Sequence, residues 1–202
     1  MDGQGGVDES KRATLRRFAA LGAASSFVGL ASAEGDDSDV RDAITGYLAT
    51  TPGAHFSKLR DDLQLGTGET QHHLKRLEES GVVESWKDGD YRRSVVANRF
   101  SGAEKTTLGY LRRSTPRGML LALLGDPTLS AGELADVVGV SRPSVSKHAA
   151  DLDSAGILSR DEGYAIREPE AVLTLVVRYA DSFGDDAVEL AAAADELVTY
   201  DP

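Results

Sequence analysis

The chain has 202 residues, enough for one large domain or two small ones, and 41% of them are hydrophobic. It lacks cysteine, which excludes disulfides, thiolate zinc sites and cysteine nucleophiles, and no convincing apolar run reaches the roughly 18 residues of a membrane span. The net charge is −11, so contact with nucleic acid demands that the 22 Lys and Arg be concentrated locally. In chain order, residues 1–10 are Gly- and Asp-rich and read as a disordered lead-in. Residues 11–33 read as a signal-like segment, and 34–38 as an acidic linker that completes an N-terminal region, 1–38. Folded sequence is expected from Asp39.

A helix is expected over about Val40–Ala49, where Ile44 and Leu48 share a face, closed by Pro52-Gly53. A second follows with Leu59 and Leu63 four apart, then a turn at Gly66-Thr67-Gly68 and a third helix over roughly Glu69–Ser80. Gly81 stands where a left-handed C-cap is expected. Val82–Trp86 and Tyr91–Val96 flank Asp88-Gly89, a strong hairpin signal. The same order returns after Phe100. A helix over Pro116–Leu124 precedes one bearing Leu134 and Val138. A turn at Gly139-Val140-Ser141 opens a helix over Arg142–Ala155, capped by Ser141 with Pro143 in its first turn. Gly156 and a hairpin, Ile157–Arg160 with Tyr164–Ile166, complete it.

The two halves align without a gap. An offset of 75 residues lays Gly81 on Gly156, and with it Leu59 on Leu134, Leu63 on Val138, Leu65 on Val140, Thr70 on Val145, His73 on His148, Leu77 on Leu152 and Val82 on Ile157. Two copies of one supersecondary unit account for this. Helix-turn-helix followed by a β-hairpin predicts a winged helix-turn-helix in each copy. The expected fold is mainly α with small β-hairpin wings (α+β): a first winged helix at 39–100, a second at 101–167, and a helical C-terminal segment at 168–202. In that segment Val172, Val176, Tyr179 and Phe183 form an apolar stripe, expected to be a dimer contact.

In such a unit the second helix of the pair enters the major groove, its N-terminal residues facing base edges. The expected DNA-binding residues of copy one are Thr67, Thr70, Gln71, His72, His73, Lys75 and Arg76, with Lys87, Arg92 and Arg93 on the wing. Those of copy two are Ser141, Arg142, Ser144, Ser146, Lys147 and His148. Gln71 suits adenine, Arg142 suits guanine or a phosphate, and Lys147 suits a phosphate. Glu69 would repel phosphate unless it accepts from cytosine. Structural alternatives stand beside these: His73 and His148 as packing or capping residues of the repeat, and Lys75 and Arg76 as partners of Glu78 and Glu79.

The run PGAHFSKLRDDLQLGTGETQHHLKRLEESGVVES resembles the first winged helix of archaeal regulators with two winged helix-turn-helix domains. SAGELADVVGVSRPSVSKHAADLDSAGIL is similar to the winged-helix pattern of the MarR and ArsR types. The resemblance spans about residues 39–167. It implies a transcriptional regulator with double-stranded DNA as partner and no cofactor. Two departures predict unequal roles: Glu69, Glu78 and Glu79 on the first groove helix, and Ala149, Ala150 and Asp151 in the second where the first has Leu74, Lys75 and Arg76. The alternative function is a membrane-associated or protein-interaction winged-helix module without direct DNA binding.

The acidic, Lys-poor composition, with 16 Arg against 6 Lys, resembles that of haloarchaeal proteins, in which carboxylates hold water and salt screens their repulsion. With about six phosphate contacts, raising salt from 0.1 to 2 M weakens binding by about six decades. Base-edge contacts and a homodimer are therefore expected. No catalytic or metal site is expected: no Gly-rich phosphate loop or nucleophile elbow occurs, and adjacent His72 and His73 diverge on a helix. The effector is not readable.

Arg16-Arg17-Phe18 and the apolar stretch to Ala33, ending Ala31-Ser32-Ala33, resemble a twin-arginine export signal, although Phe18 follows the arginines with no spacer. Three readings stand: a membrane-associating helix through 16–33, a dimerisation helix, or a cleaved signal. The uncleaved readings are favoured, with a cytoplasmic location.

Overall fold

The computed structural model describes residues 4–24 and 35–194. It divides into two units, the first ending at Phe100 and the second beginning at Ser101.

The first unit contains α1 (Gln4–Ala24), α2 (Gly35–Thr50), β1 (Ala54–His55), α3 (Phe56–Asp62), α4 (Thr67–Glu79), β2 (Val83–Asp88) and β3 (Tyr91–Val96). Its core joins Val40, Ile44, Tyr47 and Leu48 of α2 to Leu59, Leu63, Leu65, Leu74, Leu77, Val83 and Val96. The expectation of a disordered lead-in and a linker is corrected. Residues 4–10 are helical within α1 and 35–38 are helical within α2. Leu15 is buried in the same core, and Phe18 meets Tyr47 edge-on at 5.3 Å. That apolar contact, about 2 kcal/mol for a buried leucine, gives α1 a reason to fold that composition alone concealed. The proposed cleavage site at Ala31-Ser32-Ala33 lies outside the described residues. No described helix is long and apolar enough to cross a membrane.

The corner between α3 and α4 also differs from expectation. Gln64, not a glycine, holds the left-handed conformation at φ 55°, between buried Leu63 and Leu65. Gly66 and Thr67 belong to the start of α4: Gly66 is its N-cap, and Gly66 N–H donates to the Glu69 carboxylate at 3.0 Å. After α4, Gly81 reverses the chain at φ 72° and Val82 N–H reaches Leu77 O at 2.9 Å. β2 and β3 form the hairpin in register from Val83 opposite Val96 to Asp88 opposite Tyr91. β1 pairs with the other edge of β3, making a three-stranded antiparallel sheet in the order β1-β3-β2.

The second unit contains α5 (Gly102–Leu111), α6 (Ser114–Gly125), α7 (Ala131–Val138), α8 (Arg142–Ser154), β4 (Leu158–Ser159), β5 (Ala165–Ile166), α9 (Pro169–Phe183) and α10 (Asp185–Ala192). Its repeat geometry matches the first at the 75-residue offset. Gly139, the equivalent of Gln64, has φ 70°, and Gly156, the equivalent of Gly81, has φ 74°. Ile157 N–H donates to Leu152 O at 3.0 Å, the counterpart of the Val82 bond. Capping boxes start α5 (Ser101 with Glu104) and α7 (Ser130 with Glu133). The α7–α8 pair and the hairpin make this unit a winged helix-turn-helix as well, with a smaller wing. The described residues are thus mainly helical with small antiparallel sheets.

The α9 stripe is not an exposed dimer face. Val172, Val176, Tyr179 and Phe183 are all buried inside the unit, where α9 packs on α5 and α10. Arg112 closes this contact, its guanidinium 4.5 Å over the Phe183 ring and donating to Ser182 Oγ at 3.0 Å. The dimer expectation loses its surface because the stripe already serves as core.

The corner residues give a test. A left-handed L-residue costs about 1–2 kcal/mol that glycine avoids, less glycine's larger loss of chain entropy. Gln64→Gly is expected to raise the stability of the first unit by about 0.5–1 kcal/mol, and Gly139→Ala to lower that of the second by about 1–2 kcal/mol. Denaturant unfolding in molar KCl measures both.

Candidate nucleic-acid interface

The burial of α4 divides its residues into two faces. Thr70, His73, Leu74 and Leu77 are buried. Thr67, Gly68, Gln71, His72, Lys75 and Arg76 are exposed. The same division recurs on α8 at the offset: Val145, Ala149 and Leu152 are buried, while Arg142, Ser146 and Lys147 are exposed. Each exposed face begins at a helix N-terminus, where unpaired backbone N–H groups favour anions.

Several of the sequence-derived residues do not stand free on this surface: Lys75 pairs with Glu79 at 3.7 Å along the exposed face, and the Thr67 hydroxyl accepts from Arg60 at 3.4 Å. Thr70 is fully buried and its hydroxyl donates to Gly66 O at 2.9 Å, replacing an interaction with solvent by one inside the helix. His73 is 4% exposed, its ring edge-on to His72 at 5.2 Å, so only His72 faces outward. Arg93 is 1% exposed. Its guanidinium is held by Asp88 and by Gly53 O at 3.0 Å, and lies 5.5 Å from the Tyr91 ring centre. It therefore fastens the wing to the turn before β1 instead of reaching DNA. Arg92 is exposed but bound to Glu78 at 2.9 Å, which ties the wing to the end of α4. Lys87 is exposed opposite Arg92 in the hairpin.

On α8, Ser141 serves as the N-cap, accepting from Ser144 N–H at 3.4 Å. Ser144 is half-buried, and His148 is half-buried with Nδ1 3.9 Å from the Asp151 carboxylate. The Arg142 guanidinium lies across Gly132 of α7, so close that a β-carbon there would stand 2.9 Å from its Nη2. The missing side chain at Gly132 sets the course of Arg142.

Sequence reading missed two supporting groups. His55 caps α3: its Nδ1 accepts from Lys58 N–H at 3.2 Å, and its ring stacks obliquely on Tyr91 at 5.0 Å. Its place just before Phe56-Ser57-Lys58 was the available signal. Burial holds its pKa below the ordinary histidine value, assisted by the Arg93 and Lys58 charges. The other is Lys11 of α1, whose ammonium meets both Glu69 oxygens, at 3.1 and 3.0 Å. Burial of the Glu69 carboxyl opposes ionisation. The Gly66 N–H and Lys11 outweigh it and hold the pKa below the usual range. Glu69, expected to repel phosphate, is thus a neutralised capping residue.

A family model described as an N-terminal HTH domain matches residues 38–108, and one described as winged helix-turn-helix DNA-binding matches residues 112–159. The chain carries two helix-turn-helix domains in tandem. No curated protein and no solved structure matches it. The first match runs through α2–α4 and the wing into α5, and the second covers α6–α8 and β4. Both groove-type helices therefore lie inside matched segments. The matches support tandem helix-turn-helix architecture without singling out the MarR or ArsR type.

Charge separates the two domains. Residues 39–100 hold 10 Asp and Glu against 9 Lys and Arg, whereas 101–202 hold 17 against 9. At the 75-residue offset, the exposed Lys75 and Arg76 of α4 correspond to half-buried Ala150 and exposed Asp151 of α8.

Two measurements check this geometry. Arg93→Met is expected to destabilise the first domain by about 3–5 kcal/mol, because it leaves Asp88 without its buried partner, while Arg92→Met costs at most about 1 kcal/mol. In a pH series, both depressed pKa values mean that the unfolded chain binds protons first. Stability is then full above pH 6.5, falls as His55 is protonated below that value, and falls again below 4.5 as Glu69 is protonated. His55→Asn, which keeps a capping oxygen, is expected to abolish the upper step in thermal melts.

Proposed function

We propose that this protein is a sequence-specific transcriptional regulator that binds double-stranded DNA through α4 and α8, with the wings on the flanking backbone. The observation that carries the reading is the shared division of the two helices: one face locked into the core, the other presenting polar and cationic side chains from the N-terminus onward. Gln71 and His72 of α4, and Arg142 and Ser146 of α8, are the base-edge candidates. Lys75, Arg76, Lys87 and Lys147 are the backbone contacts. The first domain is the principal reader, because it keeps cations along the helix where the second has Ala150 and Asp151.

The acidic composition fits work in molar salt, where counterion release contributes little and base-edge contacts must carry selectivity. A homodimer, doubling those contacts, belongs to this proposal, as does a cytoplasmic site of action. Sedimentation in molar KCl tests the dimer, and a monomer there removes it.

The deciding experiment selects duplexes from a random pool with the full chain in high KCl, then measures affinity by fluorescence anisotropy across salt. Enrichment of a defined sequence supports the proposal. Absence of sequence-selective retention overturns it in favour of a protein-interaction module. For the selected duplex, Lys75→Ala or Arg76→Ala is expected to weaken binding to all sequences alike and lower the salt slope by about 1. Gln71→Ala is expected to relax preference at one base pair, about 1–3 kcal/mol in discrimination.

A further inference from the structure

We propose that α1 is a working part of the groove-reading head of the first domain, with Lys11 as the positioning residue that makes the N-terminus of α4 receptive to a DNA phosphate. This rests on the DNA-binding reading above and names how that surface is prepared.

Glu69 is the third residue of α4, and its carboxylate accepts the Gly66 N–H at 3.0 Å, completing the start of the helix. A carboxylate there stabilises the isolated helix, since it faces the positive end of the peptide dipoles. On the DNA-binding reading a phosphate approaches the start of α4, where Glu69 stands between Thr67 and Gln71 in the chain, and two anions at such a site repel. Stability and DNA binding therefore make opposite demands on one side chain.

Lys11 meets both demands. It lies 58 residues upstream, on a helix held to the core by Leu15 and Phe18, and binds both carboxylate oxygens. The pair is only partly exposed, 28% for Lys11 and 32% for Glu69, so salt screens it less than a surface pair. The cap survives, and the local charge at the helix start falls to about zero. The second domain has no such conflict. The residue equivalent to Glu69 is Ser144, whose backbone is capped by the Ser141 hydroxyl without a carboxylate.

The remaining charge on α1 supports the assignment. Arg12 and Arg16, one turn apart, are exposed beside the Leu15 face. Docking α1 therefore neutralises an acidic group of α4 and brings Arg12 and Arg16, together with the exposed carboxylate of Glu9, into the same domain. Leu15 and Phe18 hold α1 to the core of the first domain, which places Lys11 at the start of α4.

The test uses the full chain, the selected duplex and anisotropy at 0.2 M KCl. Lys11→Met is expected to weaken binding about three- to tenfold, as an unmasked carboxylate near a phosphate implies. Lys11→Arg is expected to bind as the natural chain does. Glu69→Gln keeps an oxygen for the Gly66 N–H, and added to Lys11→Met is expected to restore affinity, although the ion pair stays broken. Thermal melting of each variant separates loss of fold from loss of binding. Unchanged affinity in folded Lys11→Met, or failure of Glu69→Gln to restore it, overturns the proposal and leaves Lys11 a purely structural partner. A natural chain that retains no duplex overturns the DNA-binding reading and this inference with it.

Discussion

Everything at the candidate surface depends on the half-burial of two helices. When Thr70, His73, Leu74 and Leu77 enter the core, the 100° step between residues leaves Gln71, His72, Lys75 and Arg76 no choice but to face outward. In α8 the burial of Val145, Ala149 and Leu152 does the same for Ser146 and Lys147. The core does not need to know the identity of the outward residues. The two copies could therefore keep one packing scheme while their exposed chemistry diverged to Lys75-Arg76 in one and Ala150-Asp151 in the other.

The repeat was legible because apolar spacing is a local signal. The gap-free offset pairs residues that occupy equivalent structural positions, down to the left-handed Gly81 and Gly156. Gln64 was not legible as a corner: its conformation is imposed by Leu63 and Leu65 on either side, and the nearby glycines at 66 and 68 drew the turn two residues too late. β1 was missed for a related reason. A two-residue strand has no periodicity of its own, and Ala54-His55 is extended only because β3 offers an edge. The boxes Ser101-x-x-Glu104 and Ser130-x-x-Glu133 were visible signatures of helix starts that apolar spacing alone did not use.

The candidate binding residues were less legible than the fold. Position in a helix-turn-helix nominates a stretch, but each side chain's fate depends on partners far away in sequence. Arg93 looked like a free wing cation until Gly53 O and Asp88 claimed it, and Glu69 looked like a liability until Lys11 met it. Both are decided by tertiary contacts between charged groups, for which a sequence gives composition but not pairing. The N-terminal segment shows the same limit: Phe18 reads as the start of an apolar leader, yet the same residue suits a helix packed on Tyr47.

The two wings differ in how firmly they are held. The first has a six-residue ladder, β1 along its far edge, the Ser85–Ser94 hydroxyl contact at 2.8 Å and the Arg93 anchor. The second has two paired positions, Leu158 with Ile166 and Ser159 with Ala165, and Arg167 bonded to Asp153 at 3.0 Å. Few ladder bonds and exposed tips make for low opening free energies. Backbone amides of the second hairpin should exchange with deuterated solvent through local opening, while those of the first exchange only when its domain opens more widely. The first wing is thus a pre-shaped element of its domain, whereas the second rests on two paired positions and the Arg167–Asp153 bond.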